Sequence, residues 1–141
     1  MAYRTRSARR AFVVEWTGTP TQDDVRRLTS DVLTFAHRHD GSKIALWVVI
    51  PIETTELPAS DVRGLFQQSM PAVFERCEFA DVVLVGSGVR ASLMRTGIRT
   101  MAILARASAP TRVFDSVESA IRDRALPPDV AAMLREPLDP V

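Results

Sequence analysis

The segment Lys43–Ile52, KIALWVVIPI, limits this chain more than any other stretch. Successive residues of a strand point to opposite faces, and here neither face is polar. Such a strand belongs in the middle of a sheet with cover on both sides, the arrangement of parallel α/β proteins. The surrounding sequence alternates accordingly. Phe12–Trp16 (FVVEW) reads as a strand, and Gly18, Thr19 and Pro20 break it. Val25, Leu28, Val32, Phe35, Ala36 and His39 then recur at helical spacing, predicting a helix over 22–39. Thr21 with Asp24 forms a capping-box signature, Asp23 and Asp24 suit the positive helix end, and Gly41 closes the helix.

After the central strand comes a polar loop, PIETTELPAS. A second helix over 59–77 places Val62, Leu65, Phe66, Ser69, Met70, Val73 and Cys77 on its inner face. Pro71 falls inside it and is expected to kink or split it near Gln68. Asp81–Val85 is a short buried strand, followed by a Gly86-Ser87-Gly88 turn. A third helix over 89–107 has Leu93, Met94, Gly97, Ile98, Met101, Leu104 and Ala105 as its expected core face, with Arg95, Arg99 and Arg106 opposite. Thr111–Phe114 is a strand. Asp115 as N-cap and Glu118 start a helix that Pro127 and Pro128 stop. Asp129–Leu134 adds a last helical turn or two, and 137–141 is a tail.

The fold class is therefore α/β: a four-stranded, mostly parallel sheet with β-α alternation and helices packed on it. Residues 2–5 are a candidate antiparallel edge strand. One domain fills the 141 residues, with 1–9 as a basic arm or edge strand, 10–126 as the domain and 127–141 as a short helix and tail. Periodicity leaves the strand order open, so a doubly wound sheet, as in flavodoxin-like and response-regulator folds, stands beside other orders. The acidic pocket of a response regulator is missing, since Trp16-Thr17-Gly18 and Gly86-Ser87-Gly88 supply no aspartate.

Charge is balanced overall, at +1, but uneven along the chain. Residues 1–14 carry Arg4, Arg6, Arg9 and Arg10 and no acid. Residues 82–114 carry Arg90, Arg95, Arg99, Arg106 and Arg112 and no acid. Nucleic acid is nonetheless argued against as a partner, because the net charge is near zero and no helix-turn-helix spacing accompanies the arginines. No apolar run reaches the ~20 residues of a membrane helix, and no secretory signal is read. With the single cysteine, Cys77, this makes the cytoplasm the expected compartment.

Motifs for chemistry are sparse. There is no phosphate-loop lysine, no dinucleotide fingerprint, no zinc-protease motif, no paired cysteines and no nucleophile elbow. His37 and His39 stand roughly 200° apart around a helix that turns about 100° per residue, so they cannot share a metal. No catalytic set, metal or cofactor is implied, and the reading leans away from an enzyme. Two candidate sites follow strands at the carboxyl edge, where open α/β sheets bind ligands. Gly86, Ser87, Gly88 and Arg90 are a candidate ligand or anion site, since amides at a helix start attract anions. Glu53, Thr54, Thr55 and Glu56 are a candidate partner-binding or modification loop, polar and rich in hydroxyls.

The succession FVVEW, amphipathic helix, KIALWVVIPI, proline-containing helix, DVVLVGSG, arginine-bearing helix and TRVFDSVESAI resembles the SpoIIAA-like branch of the STAS superfamily, the sulphate-transporter and anti-sigma-factor-antagonist domains. The likeness spans about residues 10–126. It implies a bacterial, non-catalytic regulatory domain that binds a protein partner. In anti-sigma antagonists a serine or threonine after the central strand is phosphorylated to switch affinity. The matching place is Thr54-Thr55, where the aspartate and glycine of that motif are missing and Glu53 and Glu56 stand instead, a setting in which a phosphate meets like charge.

Three function classes follow. A STAS-like interaction module, docking its partner through the carboxyl-edge loops or helix two, predicts an exposed apolar patch and a homodimer. A carrier of a lipid or small apolar ligand predicts a cavity between the sheet and helices two and three, lined by Met70, Met94 and Met101. An enzyme or phosphate/nucleotide binder predicts stabilisation by phosphate through the Gly86–Gly88 helix start and Arg90.

Overall fold

Five strands lie side by side in the order in which the chain makes them. The protein is described by a computed structural model covering residues 2–104 and 109–136. The strands are β1 (Tyr3–Ala8), β2 (Ala11–Trp16), β3 (Ile44–Pro51), β4 (Cys77–Val85) and β5 (Val113–Phe114). β1 runs antiparallel to β2 through a tight turn in which Arg9 takes a φ of 53°. The other neighbours are parallel. The edge strand expected at 2–5 is thus present and longer than expected.

Helices α1 (Gln22–Arg38), α2 (Ser60–Phe74) and α3 (Val89–Leu104) connect β2 through β5. Each crossover moves the sheet one strand further in the same direction. Parallel crossovers are right-handed, so all three helices arrive on one face. The packing agrees: Leu28, Val32 and Phe35 of α1, Val73 of α2 and Met94 of α3 join Phe12, Val14, Leu46 and Ile50 of the strands in one core. A doubly wound sheet reverses its order and places such helices on both faces. Here the second face is covered by the C-terminal pair, α4 (Val117–Arg124) and α5 (Pro128–Arg135). Ala120, Val130, Met133 and Leu134 pack there against Val13, Trp47, Val49 and Val83. KIALWVVIPI is the middle strand, buried from both sides, as its lack of a polar face requires.

Ion pairs fix the second layer. Asp81 of β4, fully buried, receives two bonds from the Arg124 guanidinium at 2.7 and 2.8 Å, and Arg124 lies 4.1 Å above the Phe79 ring. Arg6 of β1 bonds Glu15 at 2.9 Å and donates through Nε to the Met133 carbonyl at 3.0 Å, tying the first hairpin to α5.

Several local expectations are corrected. β4 begins at Cys77, so Cys77 belongs to a strand and not to helix two. α2 stops at Phe74 because Ile44 donates to the Arg76 carbonyl, which pulls that residue into sheet pairing. The same helix runs unbroken through Pro71, which sits three residues from its end on an exposed side. The cap of α4 is Ser116, whose hydroxyl accepts from the Ser119 amide, while Asp115 pairs with Arg95 instead. Leu93 was expected in the core and is 63 % exposed. α3 is rotated so that Ala91 and Met94 face inward, with Ile98 packed against them and Met101 half-buried. The expected helix residues Ala105, Arg106 and Ala107, and the tail at 137–141, lie outside the described residues.

Candidate functional site

The two candidate loops, distant in sequence, meet at the carboxyl edge. β3 and β4 are parallel neighbours in the middle of the sheet, so the segments that leave them emerge side by side. The Ile52 amide donates to the Val85 carbonyl at 3.0 Å, extending the ladder by one residue beyond Pro51. Arg90, in the first turn of α3, donates through Nη2 to the Thr55 carbonyl at 3.2 Å. The Glu56 amide donates to the Thr19 hydroxyl at 3.2 Å, which adds the β2–α1 loop to the group. Leu57 lies over Gly97, where an added Cβ would stand 3.6 Å from its Cδ2.

Within the first loop the hydroxyls differ. Glu53, Thr54 and Glu56 are exposed, and Thr54 leans on the Pro51 carbonyl at 3.5 Å. Thr55 is 3 % exposed, and its hydroxyl has no hydrogen-bond partner among the described residues. Of the two adjacent hydroxyls, only that of Thr54 is open to solvent. In the second loop Gly86 and Gly88 have φ values of +144° and +94°, which side chains of L-residues rarely adopt. A Cβ on Gly86 would also stand 3.0 Å from Ile52. Ser87 between them is exposed, and no acidic residue stands in the first turn of α3.

Beneath these loops is an apolar cavity of about 160 Å³ between the sheet and helices α2 and α3. Leu46, Val48, Ile50 and Val82 form its floor, and Phe66 with Met70 lines the α2 side. Met94, Ile98 and Met101 line the α3 side, so the three methionines named from the sequence converge here. Thr55, Glu56, Leu57 and Pro58 of the first loop complete the wall, and the exposure of Glu56 and Leu57 brings the cavity to the surface.

Outside, α3 presents an uncovered face. Val89 is 78 % and Ile103 76 % exposed, and with Leu93 they fall at i, i+4 and i+14, on one side of the helix. Thr96 and Thr100, at i+7 and i+11, are exposed too, but their hydroxyls donate to carbonyls four residues back, at 3.2 and 2.9 Å. That face is therefore less polar than its letters read. Leu57, which lies against Gly97 of this helix, and Val85 at the end of β4 are exposed too. The spacing was visible in the sequence. Leu93 and Met94 are adjacent and both large, so periodicity alone does not assign which one faces the sheet.

The remaining candidates lie elsewhere. His39 caps α1 and stacks on Phe35 at 4.8 Å, with His37 exposed. Among the described residues no group of His, Cys, Asp or Glu could hold a metal ion. None of the helices described is long and apolar enough to cross a membrane. Cys77 is buried, and burial pushes its thiol up to about 12, against a small opposing influence of Lys43.

No protein-family model matches the sequence, and no curated protein is similar enough in sequence to match. The architecture is nonetheless similar to that of a solved structure, the anti-sigma factor antagonist SpoIIAA in its unphosphorylated form. The likeness covers 89 % of this chain and 100 % of that one, with a TM-score of 0.52 and 16 % sequence identity. The fold of this chain, a mostly parallel sheet in chain order with helices packed on it, is SpoIIAA-like.

Proposed function

We propose that the protein is a regulatory interaction module that docks a protein partner at the carboxyl edge of its sheet. The observation that carries this reading is the exposed apolar face of Val89, Leu93 and Ile103, with Leu57 and Val85 exposed too. Single exposed apolar residues are ordinary, but a contiguous set on one helix face is the mark of a surface that another protein covers. The partner should be apolar at its centre, with an acidic group at its rim that Arg99, exposed on α3, can meet. The likeness to SpoIIAA, an anti-sigma factor antagonist, supports a role that works through another protein.

The test is a photo-crosslinking amino acid placed at Leu93 and, as a control, at Arg26 on the exposed side of α1. A discrete adduct from native extract at 93 and none at 26, lost on adding Leu57→Asp, supports the reading. Equal labelling at both positions, or none at 93, overturns it.

A second reading, carriage of a small apolar ligand, is favoured by the methionine-lined cavity. The phosphate-binding reading of Gly86, Ser87, Gly88 and Arg90 gains less, since Arg90 already directs one amine to the Thr55 carbonyl.

A further inference from the structure

Among the described residues, the cavity under the carboxyl-edge loops has one buried side-chain polar atom that its surroundings leave unmatched. Thr55 is only 3 % exposed, lines the cavity, and its Oγ1 has no hydrogen-bond partner among the described residues. A buried hydroxyl without a partner is unfavourable, and native structures keep few of them. A β-branched residue fills space equally well as valine, so packing does not require the oxygen. The main-chain carbonyl of the same residue is held by Arg90, and the next amide is held by Thr19. Thr55 is thereby fixed from both sides with its hydroxyl left over.

We infer that this cavity is a binding site for a small, uncharged, mostly apolar molecule bearing one hydrogen-bonding group, which Thr55 Oγ1 engages. The size fits: the volume is about 160 Å³, and a protein cavity of about 150 Å³ lined by apolar side chains is known to take up benzene. The lining fits as well. Met70, Met94 and Met101 are unbranched and polarisable, so they adapt to a guest, and Phe66 and Trp16 offer aromatic walls. Among the described residues no cationic side chain lines the cavity to hold an acid. Glu56 stands at the exposed side of the cavity, and its carboxylate repels an anionic headgroup. The ligand class is that of a phenol or a short-chain alcohol or ketone rather than a free fatty acid. This inference rests on the second reading above and not on the exposed face of Val89, Leu93 and Ile103, which do not line the cavity; Leu57 alone belongs to both.

The experiment uses the full chain labelled with ¹³C at the methionine methyl groups and titrated with phenol, toluene and hexanoate. Phenol should shift the signals of Met70, Met94 and Met101 saturably, and toluene should do so more weakly. Hexanoate should leave them in place. Thr55→Val, which keeps the shape, should weaken phenol about five- to tenfold, as loss of one hydrogen bond predicts, and leave toluene unchanged or tighter. Absence of saturable shifts with phenol and toluene alike in the folded protein overturns the site. An equal effect of Thr55→Val on both probes overturns the role of the hydroxyl.

Discussion

Arg90 reaches across 35 positions of chain to donate one hydrogen bond to the carbonyl of Thr55, joining the loop after β3 to the first turn of α3. Both segments carry exposed polar residues. Arg90→Ala should therefore speed amide hydrogen exchange severalfold from Thr54 to Leu57. Global stability should fall by no more than about 1 kcal/mol, as for a single bond from an exposed donor. Exchange that stays as slow as in the parent protein would show that the Thr19–Glu56 bond alone orders the loop.

The Asp81–Arg124 pair is a different case. Asp81 is fully buried and accepts two bonds from the guanidinium, with a third from the Arg112 amide at 3.2 Å. Removing the cation leaves a carboxylate in an apolar layer. Arg124→Ala should cost about 3–5 kcal/mol in urea unfolding. Replacing both members, Asp81→Leu with Arg124→Met, should recover part of that loss. A cost under about 1 kcal/mol for Arg124→Ala would mean that Asp81 finds water or another donor.

Asp24 links stability to acid. Burial works to raise its carboxyl pKa, but hydrogen bonds from the Thr21 and Ala2 amides and the Thr21 hydroxyl together outweigh this and hold it below the usual value. A depressed folded pKa means the contribution is complete above the unfolded value, about 3.9, and is lost as pH falls through the folded one. Asp24→Asn should lower stability at pH 7 by roughly 1 kcal/mol, the usual scale for losing a cap interaction. The gap between the two proteins should close as pH drops below 4. Parallel acid-unfolding curves would refute the assignment.

Cys77 should be inert while the protein is folded. Its thiol is raised to about 12 by burial, so at pH 8 it carries almost no thiolate and is shielded from solvent. The unfolded thiol ionises near 8.5, so its contribution to stability is full below that pH and declines as pH rises from there toward the folded value. An aromatic disulfide reagent at pH 8 should label the protein in urea and leave the native form untouched over the same minutes. Fast labelling in buffer would place the residue in an opening segment.

The legible part of this molecule was the part where chemistry is local. KIALWVVIPI dictated a central strand because a face with no polar residue has no other place. Thr21 and Asp24 cap α1 reciprocally, as their spacing predicts, with both bonds made. Cys77 was misassigned because its apolar neighbours fit a helical stripe as well as a strand start, and only pairing with Ile44 across the sheet decides between them. The candidate loops were found by position after strands, but their meeting depends on β3 and β4 being neighbours, which periodicity does not contain. The burial of Thr55 was likewise invisible. A threonine between a threonine and a glutamate reads as loop surface until the helices beneath it are placed.

Arg6 bonds a carbonyl 127 residues away, and Arg9 pairs with Asp129 at 2.6 Å. A chain leaving the ribosome makes its strands and crossover helices in spatial order, so the α1–α3 side of the sheet can assemble as it emerges. The other side cannot. Trp47, Val49 and Val83 wait for α4, and their cover is complete only when α5 has appeared and folded back across the first hairpin. The interval between those two events is when this protein has most need of a chaperone, and changes in its last helix will show first as lost yield and aggregation in the cell.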